Sequence, residues 1–236
     1  MSSQLPLVLR WPAQQRFETW VAGDNAAAVA QVQRAAQALD PDATLEPDWV
    51  FASGPSGCGK THLLIAACAA ASEHARSAQY LSLNKLSGDR PAAIRAFGGS
   101  DFLALDDVGA IAGDREAEHA LFDLYNRGKA ENSTLLFAAS APPAQLGIGL
   151  PDLVSRLSAC TQATLKLLDA GARREAMRQR AQLRGLILDD AVLDWLFART
   201  QRDLGSLTAL IERLDRESLA AKRRITVPFL RKLLGG

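Results

Sequence analysis

Apolar residues fall along this chain in two alternating rhythms. Short, nearly unbroken runs stand at Trp49-Val50-Phe51-Ala52-Ser53, Gln79-Tyr80-Leu81-Ser82-Leu83, Asp101-Phe102-Leu103-Ala104-Leu105-Asp106 and Thr134-Leu135-Leu136-Phe137-Ala138-Ala139-Ser140. Runs of this length and apolarity predict strands covered on both faces, as in a parallel sheet. Thr161–Leu168 alternates polar and apolar residues and predicts a fifth strand. Between these runs the apolar residues return at helical spacing. Helices are expected over 26–39, about 60–75, 91–97, 114–131 and 151–158, with Ala117, Leu121, Leu124 and Tyr125 marking one helix face. Asp24 or Asn25 can cap the first helix, and Asp40-Pro41 can end it. Strands and helices alternating at this pitch predict an α/β fold with a five-stranded parallel sheet.

From Asp169 the rhythm changes. Helices are expected over about 170–184, 190–200 and 204–222, with Gly185 and Gly205 as punctuation. A last turn of strand and helix is expected over 225–234. The organisation read from the pattern is an extended tail over 1–12, an α/β core over 13–168 and a small all-helical domain over 169–236. In the tail, Pro6 and Pro12 oppose helix on either side of Leu7 and Leu9. These leucines can pack on the chain's own core. Alternatively Gln4, Leu5, Leu7 and Leu9 can form a peptide that docks on a partner. Composition alone favours the first.

The chain has 236 residues, 48% hydrophobic and 22% charged, enough to bury a sizeable core. A net charge of +1 gives no bulk electrostatic case for DNA, RNA or an anionic membrane as the main ligand. Cys58, Cys68 and Cys160 are odd in number and widely spaced, which suits reduced thiols rather than disulfides or a metal site. His62, His74 and His119 are scattered and form no zinc pattern. No run reaches transmembrane length, and no basic segment precedes an apolar stretch at the N-terminus. A cytoplasmic protein without a membrane partner is expected.

The chemistry concentrates at the end of the first strand. Gly54-Pro55-Ser56-Gly57-Cys58-Gly59-Lys60-Thr61-His62 fits G-x-x-x-x-G-K-T between a strand and a helix. This is the P-loop in the context it requires. Gly54, Gly57 and Gly59 allow the backbone to curl, so that its N–H groups and the start of the next helix can surround phosphate oxygens. Lys60 is expected to reach the β- and γ-phosphates and Thr61 to hold Mg²⁺. The strand ending in Asp106-Asp107 is the matching acidic motif. Asp106 is expected in the Mg²⁺ shell, and Asp107 is placed to polarise an attacking water. Ser140 ends another buried strand, where it can meet the γ-phosphate or serve as an ordinary turn residue. Arg156 is the one arginine of the 151–158 helix; without further information a surface salt bridge is its commoner fate. Phe17 and Trp20 precede the first helix and can be core or lie by a base.

The order of these features resembles the AAA+ ATPases of the initiator clade. It is most similar to the bacterial replication initiator DnaA and the Hda family of DnaA regulatory inactivators. The residues that carry the resemblance are Phe17…Trp20…Gly23-Asp24-Asn25, the P-loop, Asp106-Asp107, Leu153-Val154-Ser155-Arg156-Leu157 and Ala181…Arg184-Gly185-Leu186. It implies an AAA+ P-loop core with a helical lid that binds ADP or ATP with Mg²⁺, and it makes Arg156 an arginine finger acting in trans. Within the clade, Gln4-Leu5-Pro6-Leu7-Val8-Leu9 resembles the peptide by which inactivators dock on the DNA polymerase III sliding clamp, its β subunit. The chain ends after the lid, where initiators continue into a DNA-binding domain, so no sequence-specific DNA binding is expected. The resemblance therefore implies an inhibitor of replication initiation that docks on the DNA-loaded clamp and stimulates hydrolysis of ATP held by DnaA. An autonomous ATPase, a helicase loader or remodeller, is the alternative, and homo-oligomerisation stays open. The chain departs from the family pattern at Gly205, which stands where the family carries its sensor-2 arginine, with Arg202 nearby, and at Ser140, which replaces the family's usual strand-end acid.

Overall fold

The computed structural model describes residues 11–37, 49–199, 210, 211, 213 and 226–234. Five strands form one sheet: β1 (Val50–Ser53), β2 (Ala78–Ser82), β3 (Phe102–Asp106), β4 (Thr134–Ala139) and β5 (Thr161–Thr164). All pairings are parallel, in the order β2-β3-β4-β1-β5. The helices are α1 (Ala26–Ala36), α2 (Lys60–Glu73), α3 (Arg90–Ala96), α4 (Arg115–Ala130), α5 (Pro151–Ala159), α6 (Ala170–Gln182), α7 (Asp190–Arg199) and α8 (Val227–Leu234).

Alternate residues of each strand point to opposite faces, so the sheet sits between two apolar layers. Val50, Ala52, Phe102, Ala104, Leu136 and Ala138 meet α1 and α2 on one face. Phe51, Leu103, Leu105, Leu135, Phe137 and Ala139 meet α3, α4 and α5 on the other. Burial on both faces is why these strands read as apolar runs. A separate cluster joins Met177 and Ala181 of α6 to Val192, Leu193 and Leu196 of α7 and Leu230 of α8. This is the helical C-terminal region. Asp169 starts it, its carboxylate accepting from the Ala172 N–H at 2.7 Å as the cap of α6.

Several boundaries differ from the sequence reading. α1 ends at Ala36, with Gln37 extended, short of the expected 39; Asp40 and Pro41 lie outside the described residues. Asn25 is the residue before α1, but its side chain does not cap the helix. It crosses to the end of the sheet, where Nδ2 donates to the Lys166 carbonyl at 3.0 Å and Oδ1 accepts from the Lys166 N–H at 2.7 Å. β5 stops at Thr164 rather than Leu168 because its edge pairs only with the four residues of β1. The final segment is helix α8 over Val227–Leu234, without the expected turn of strand among its described residues. The expected tail residues Gln4, Leu5, Leu7 and Leu9, Arg202 and Gly205, and the expected 204–222 helix apart from Leu210, Ile211 and Arg213, lie outside the described residues.

Candidate functional site

β1 ends at Ser53, β3 at Asp106 and β4 at Ala139, and β4 lies between the other two. The two phosphate-site motifs and Ser140 therefore leave the sheet side by side at its C-terminal edge. Ser140 is exposed just beyond β4. The loop from Gly54 turns into α2 at Lys60. Gly57 and Gly59 have φ of +80° and +99°, a region that strains any residue with a Cβ. Gly54 is required for a different reason. A Cβ there would meet the Leu165 carbonyl oxygen at 2.4 Å and Cys58 Sγ at 2.9 Å. It is a matter of room, not of angle. The first N–H groups of α2 have no partner within the helix, which turns a local positive potential toward the loop.

Lys60 Nζ donates to the carbonyls of Gly54 at 2.7 Å and Pro55 at 3.0 Å. The cation thus lies within the curl of the loop. Thr61 Oγ1 donates to Asp106 Oδ2 at 2.5 Å, and Tyr80 donates to the same oxygen at 2.9 Å. Asp106 Oδ1 accepts from the Asp107 N–H at 2.9 Å. Burial and the neighbouring Asp106 carboxylate push the Tyr80 phenol up, so it stays a neutral donor. Asp107 sits in the left-handed region at φ 59°, and its Oδ2 accepts from Ser82 Oγ at 3.1 Å. β2 therefore supplies one hydroxyl to each acid of the pair. Cys58 is buried in the loop, and burial raises its thiol pKa, opposed chiefly by Lys60. That makes it a packing residue rather than a nucleophile.

The imidazole of His62 finds its partners outside the loop. Its Nε2 lies 3.2 Å from the Arg16 carbonyl and 3.4 Å from Thr19 Oγ1, and its Nδ1 lies 3.5 Å from a guanidinium nitrogen of Arg180 on α6. Trp20 meets the ring edge-on at 5.1 Å. Burial holds its pKa down to about 4, the Arg16 carbonyl opposing and Arg180 adding to the effect. A neutral ring that donates from Nε2 and accepts at Nδ1 satisfies this geometry. His62 thus ties the 16–20 segment and α6 to the start of α2. Thr19, Trp20, Val21, Cys58, Gly59, His62, Leu168, Ala176 and Arg180 enclose a cavity of about 20 Å³ beside the loop. Phe17 and Trp20 pack against the α1–α2 core layer.

Arg156 is far from this edge. It is exposed on α5, and its guanidinium lies 5.9 Å from the centre of the Tyr125 ring. That ring meets Trp49, the residue before β1, at 4.5 Å. The phosphate loop leaves the other end of β1, which at four residues is about 13 Å long. Arg156 thus stands by the end of β1 opposite the chain's own loop.

The sequence reading did not find Tyr80, Ser82 or the Asn25–Lys166 pair. Hydroxyls inside a strand pattern carry no sign of what stands on the neighbouring strand. No His, Cys, Asp and Glu cluster of metal-binding type is present among the described residues, and no described helix is long and apolar enough to cross a membrane.

The family model for the bacterial DnaA ATPase domain matches residues 12–164, and the model for the lid domain of Hda matches residues 169–234. Domain III of the Thermotoga maritima replication initiation protein DnaA is similar over 96% of this chain and 98% of that one, at 20% identity and a TM-score of 0.77. A replication initiator DnaA bound to AMPPCP and single-stranded DNA matches over 90% of this chain and 69% of its own, at 24% identity and a TM-score of 0.68. The Thermotoga maritima RuvB Holliday junction branch migration motor matches over 90% of this chain and 66% of its own, at 18% identity and a TM-score of 0.59. At such identities the structural likeness establishes the fold alone: an AAA+ core with a five-stranded parallel sheet and a helical lid.

Proposed function

Since the chain belongs to the bacterial DnaA ATPase-domain family, we propose that it is a nucleotide-bound regulator that shuts down replication initiation by acting on DnaA. The observation that carries this reading is the place of Arg156, exposed on α5 by the end of β1 opposite the chain's own phosphate loop. An arginine so placed suits another molecule's nucleotide. The Hda-type lid match supports the same reading.

Adenine nucleotide, ADP by the family resemblance, is held by the loop from Gly54 to His62. Lys60 already bonds within the curl of that loop, and its amine can turn from the Gly54 and Pro55 carbonyls to phosphate oxygens. Thr61 and Asp106 present two oxygens side by side, a donor set that fits a hard cation such as Mg²⁺. When bound, the ion would neutralise phosphate charge. Asp107 and Ser140 stand at the same edge of the sheet, and the base lies on the side of the loop where Trp20 meets Gly59. The tail residues Gln4, Leu5, Leu7 and Leu9 dock on the sliding clamp loaded on DNA, which raises the local concentration of this protein there. Arg156 then meets the γ-phosphate of ATP held by an adjoining DnaA. Its guanidinium stabilises the charge that spreads over the phosphoryl oxygens in the transition state, as water attacks and ADP leaves. DnaA passes to its ADP form and stops initiating.

The test is hydrolysis of ATP pre-bound to DnaA, with clamp loaded on DNA, in the presence of this protein or its Arg156→Ala form. Acceleration by the wild type that falls by at least about a thousandfold in the variant supports the reading. Equal acceleration by both keeps a regulatory role and removes the finger. No acceleration, with clamp binding intact, overturns the reading. The second reading, an autonomous ATPase such as a helicase loader or remodeller, is favoured by the Asp107 carboxylate retained beside Asp106. It predicts steady ATP turnover by the isolated protein that Asp107→Asn abolishes.

A further inference from the structure

The reading of Arg156 leaves a physical difficulty. A finger must present a fixed cation, yet an exposed arginine spreads over many rotamers. Two residues of α4 address this. Tyr125 lies under the guanidinium at 5.9 Å. Its ring is itself held: edge-on to Trp49 at 4.5 Å and nearly parallel to Phe137 at 6.4 Å, which in turn stacks near Phe51 at 6.4 Å. The tyrosine is buried and belongs to a rigid aromatic row that runs into β1 and β4.

Glu118 lies two turns earlier on the same face of α4. It is only 2% exposed, so its carboxylate needs partners. It has three. Oε1 accepts from the N–H groups of Gly113 at 2.9 Å and Gly149 at 3.0 Å, and Oε2 accepts from the Leu150 N–H at 2.9 Å. Leu150 is the residue before α5 and supplies no side-chain cap of its own. Glu118 therefore fixes the entry to α5 from outside, with its negative charge at the favourable end of the helix dipole.

We propose that α4 is the mount that aims Arg156: Glu118 anchors the start of α5 and Tyr125 holds the guanidinium over its ring. Both are positioning residues, and the proposal rests on the reading of Arg156 as the group offered to a partner. A cation over an aromatic face is attracted to the ring's electron density, and the planar guanidinium suits that contact. Arg156 as a whole is exposed, so the display is ordered without being buried.

The test compares the full-length wild type with Tyr125→Phe and Tyr125→Leu, using two readouts. In nuclear magnetic resonance of the free protein, the Arg156 side-chain protons are expected upfield, shifted by the ring, with the order parameters of a held side chain. Tyr125→Phe keeps both properties and Tyr125→Leu loses both. In DnaA-ATP hydrolysis, Tyr125→Leu is expected to lower the maximal rate by about two- to fivefold, with the half-saturating concentration unchanged and Tyr125→Phe at the wild-type rate. Glu118→Gln puts an amide N–H₂ where acceptors are required, and is expected to lower the Arg156 order parameter while the Tyr125 signals persist. If that variant fails to fold, the Tyr125 pair still decides. Unshifted, disordered Arg156 protons in the wild type overturn the proposal. So does full activity of Tyr125→Leu in an assay where Arg156→Ala is inactive. If the wild type fails to stimulate DnaA at all, the functional reading falls, and the resonance data alone support or overturn the mount.

Discussion

The indole of Trp20 lies against the backbone of Gly59: a Cβ built on that glycine would fall 2.5 Å from Trp20 Cη2 and 2.9 Å from Cζ3. The phosphate loop and the segment before α1 are thus fitted to each other at one residue. Gly59→Ala meets two obstacles, the φ of +99° and the ring. It is expected to destabilise the fold by about 1–3 kcal/mol from the backbone alone and to abolish nucleotide binding. Thermal melts and calorimetric titration with ADP measure the two effects. Adding Trp20→Leu should recover the part due to the contact and leave the part due to the angle.

His62 predicts how stability changes with acid. Its pKa is held down to about 4 by burial, while in the unfolded chain it is near 6.5. Above pH 6.5 the ring is neutral in both states and costs nothing. Below it the unfolded chain takes up a proton that the folded chain refuses. Stability is therefore lost as pH falls from about 6.5 to about 4, by on the order of 3 kcal/mol, with no further loss from this group below that. Urea unfolding across this range, for wild type and His62→Gln, isolates the term: the variant should lose less on acidification. Parallel curves would reject the assignment.

Tyr80 gives Asp106 a donor from the neighbouring strand. Tyr80→Phe removes one oxygen and leaves the ring packed on the α1–α2 layer. Asp106 keeps Thr61 and the Asp107 N–H. A loss of about 1–2 kcal/mol in folding stability is expected, with weaker Mg²⁺-dependent nucleotide binding. A titration of nucleotide affinity against Mg²⁺ checks the second effect, and an unchanged curve would make Tyr80 purely structural.

Asn25 joins the start of α1 to the strand-to-lid connection through both edges of its amide. It is 2% exposed, so removal leaves the Lys166 N–H and carbonyl without these partners. Asn25→Ala is expected to cost about 2 kcal/mol. Asn25→Asp keeps the acceptor but turns a carboxylate oxygen toward a carbonyl, so it should restore little. Denaturant midpoints of the two variants decide: near wild-type stability in Asn25→Asp would show that one bond carries the contact.

How much of this was legible follows from how far each signal reaches along the chain. β1, β3 and β4 could be read because burial on both faces leaves an apolar run. The loop could be read because phosphate binding demands fixed residue types at fixed short spacing, and Asp106 because it ends a run that points to the same edge. Asn25 was read as a helix cap, which is the common local use of its amide. Its partner, Lys166, is 141 residues away. Gly54 was read as a residue of unusual backbone angle, whereas Leu165 and Cys58 require its small size.

The amino-acid sequence by itself determined the alternation of strand and helix, the phosphate loop with Lys60 and Thr61, and the acid pair Asp106-Asp107, because each is encoded in neighbouring residues that must fold locally in one way. The tertiary structure alone decided the strand order β2-β3-β4-β1-β5, the hydroxyls of Tyr80 and Ser82 on the two acids, the burial of His62 under Arg16 and Arg180, and the place of Arg156 over Tyr125. These are meetings between segments far apart in the chain. Their geometry comes from the packing of whole layers, and no local pattern of residues records it.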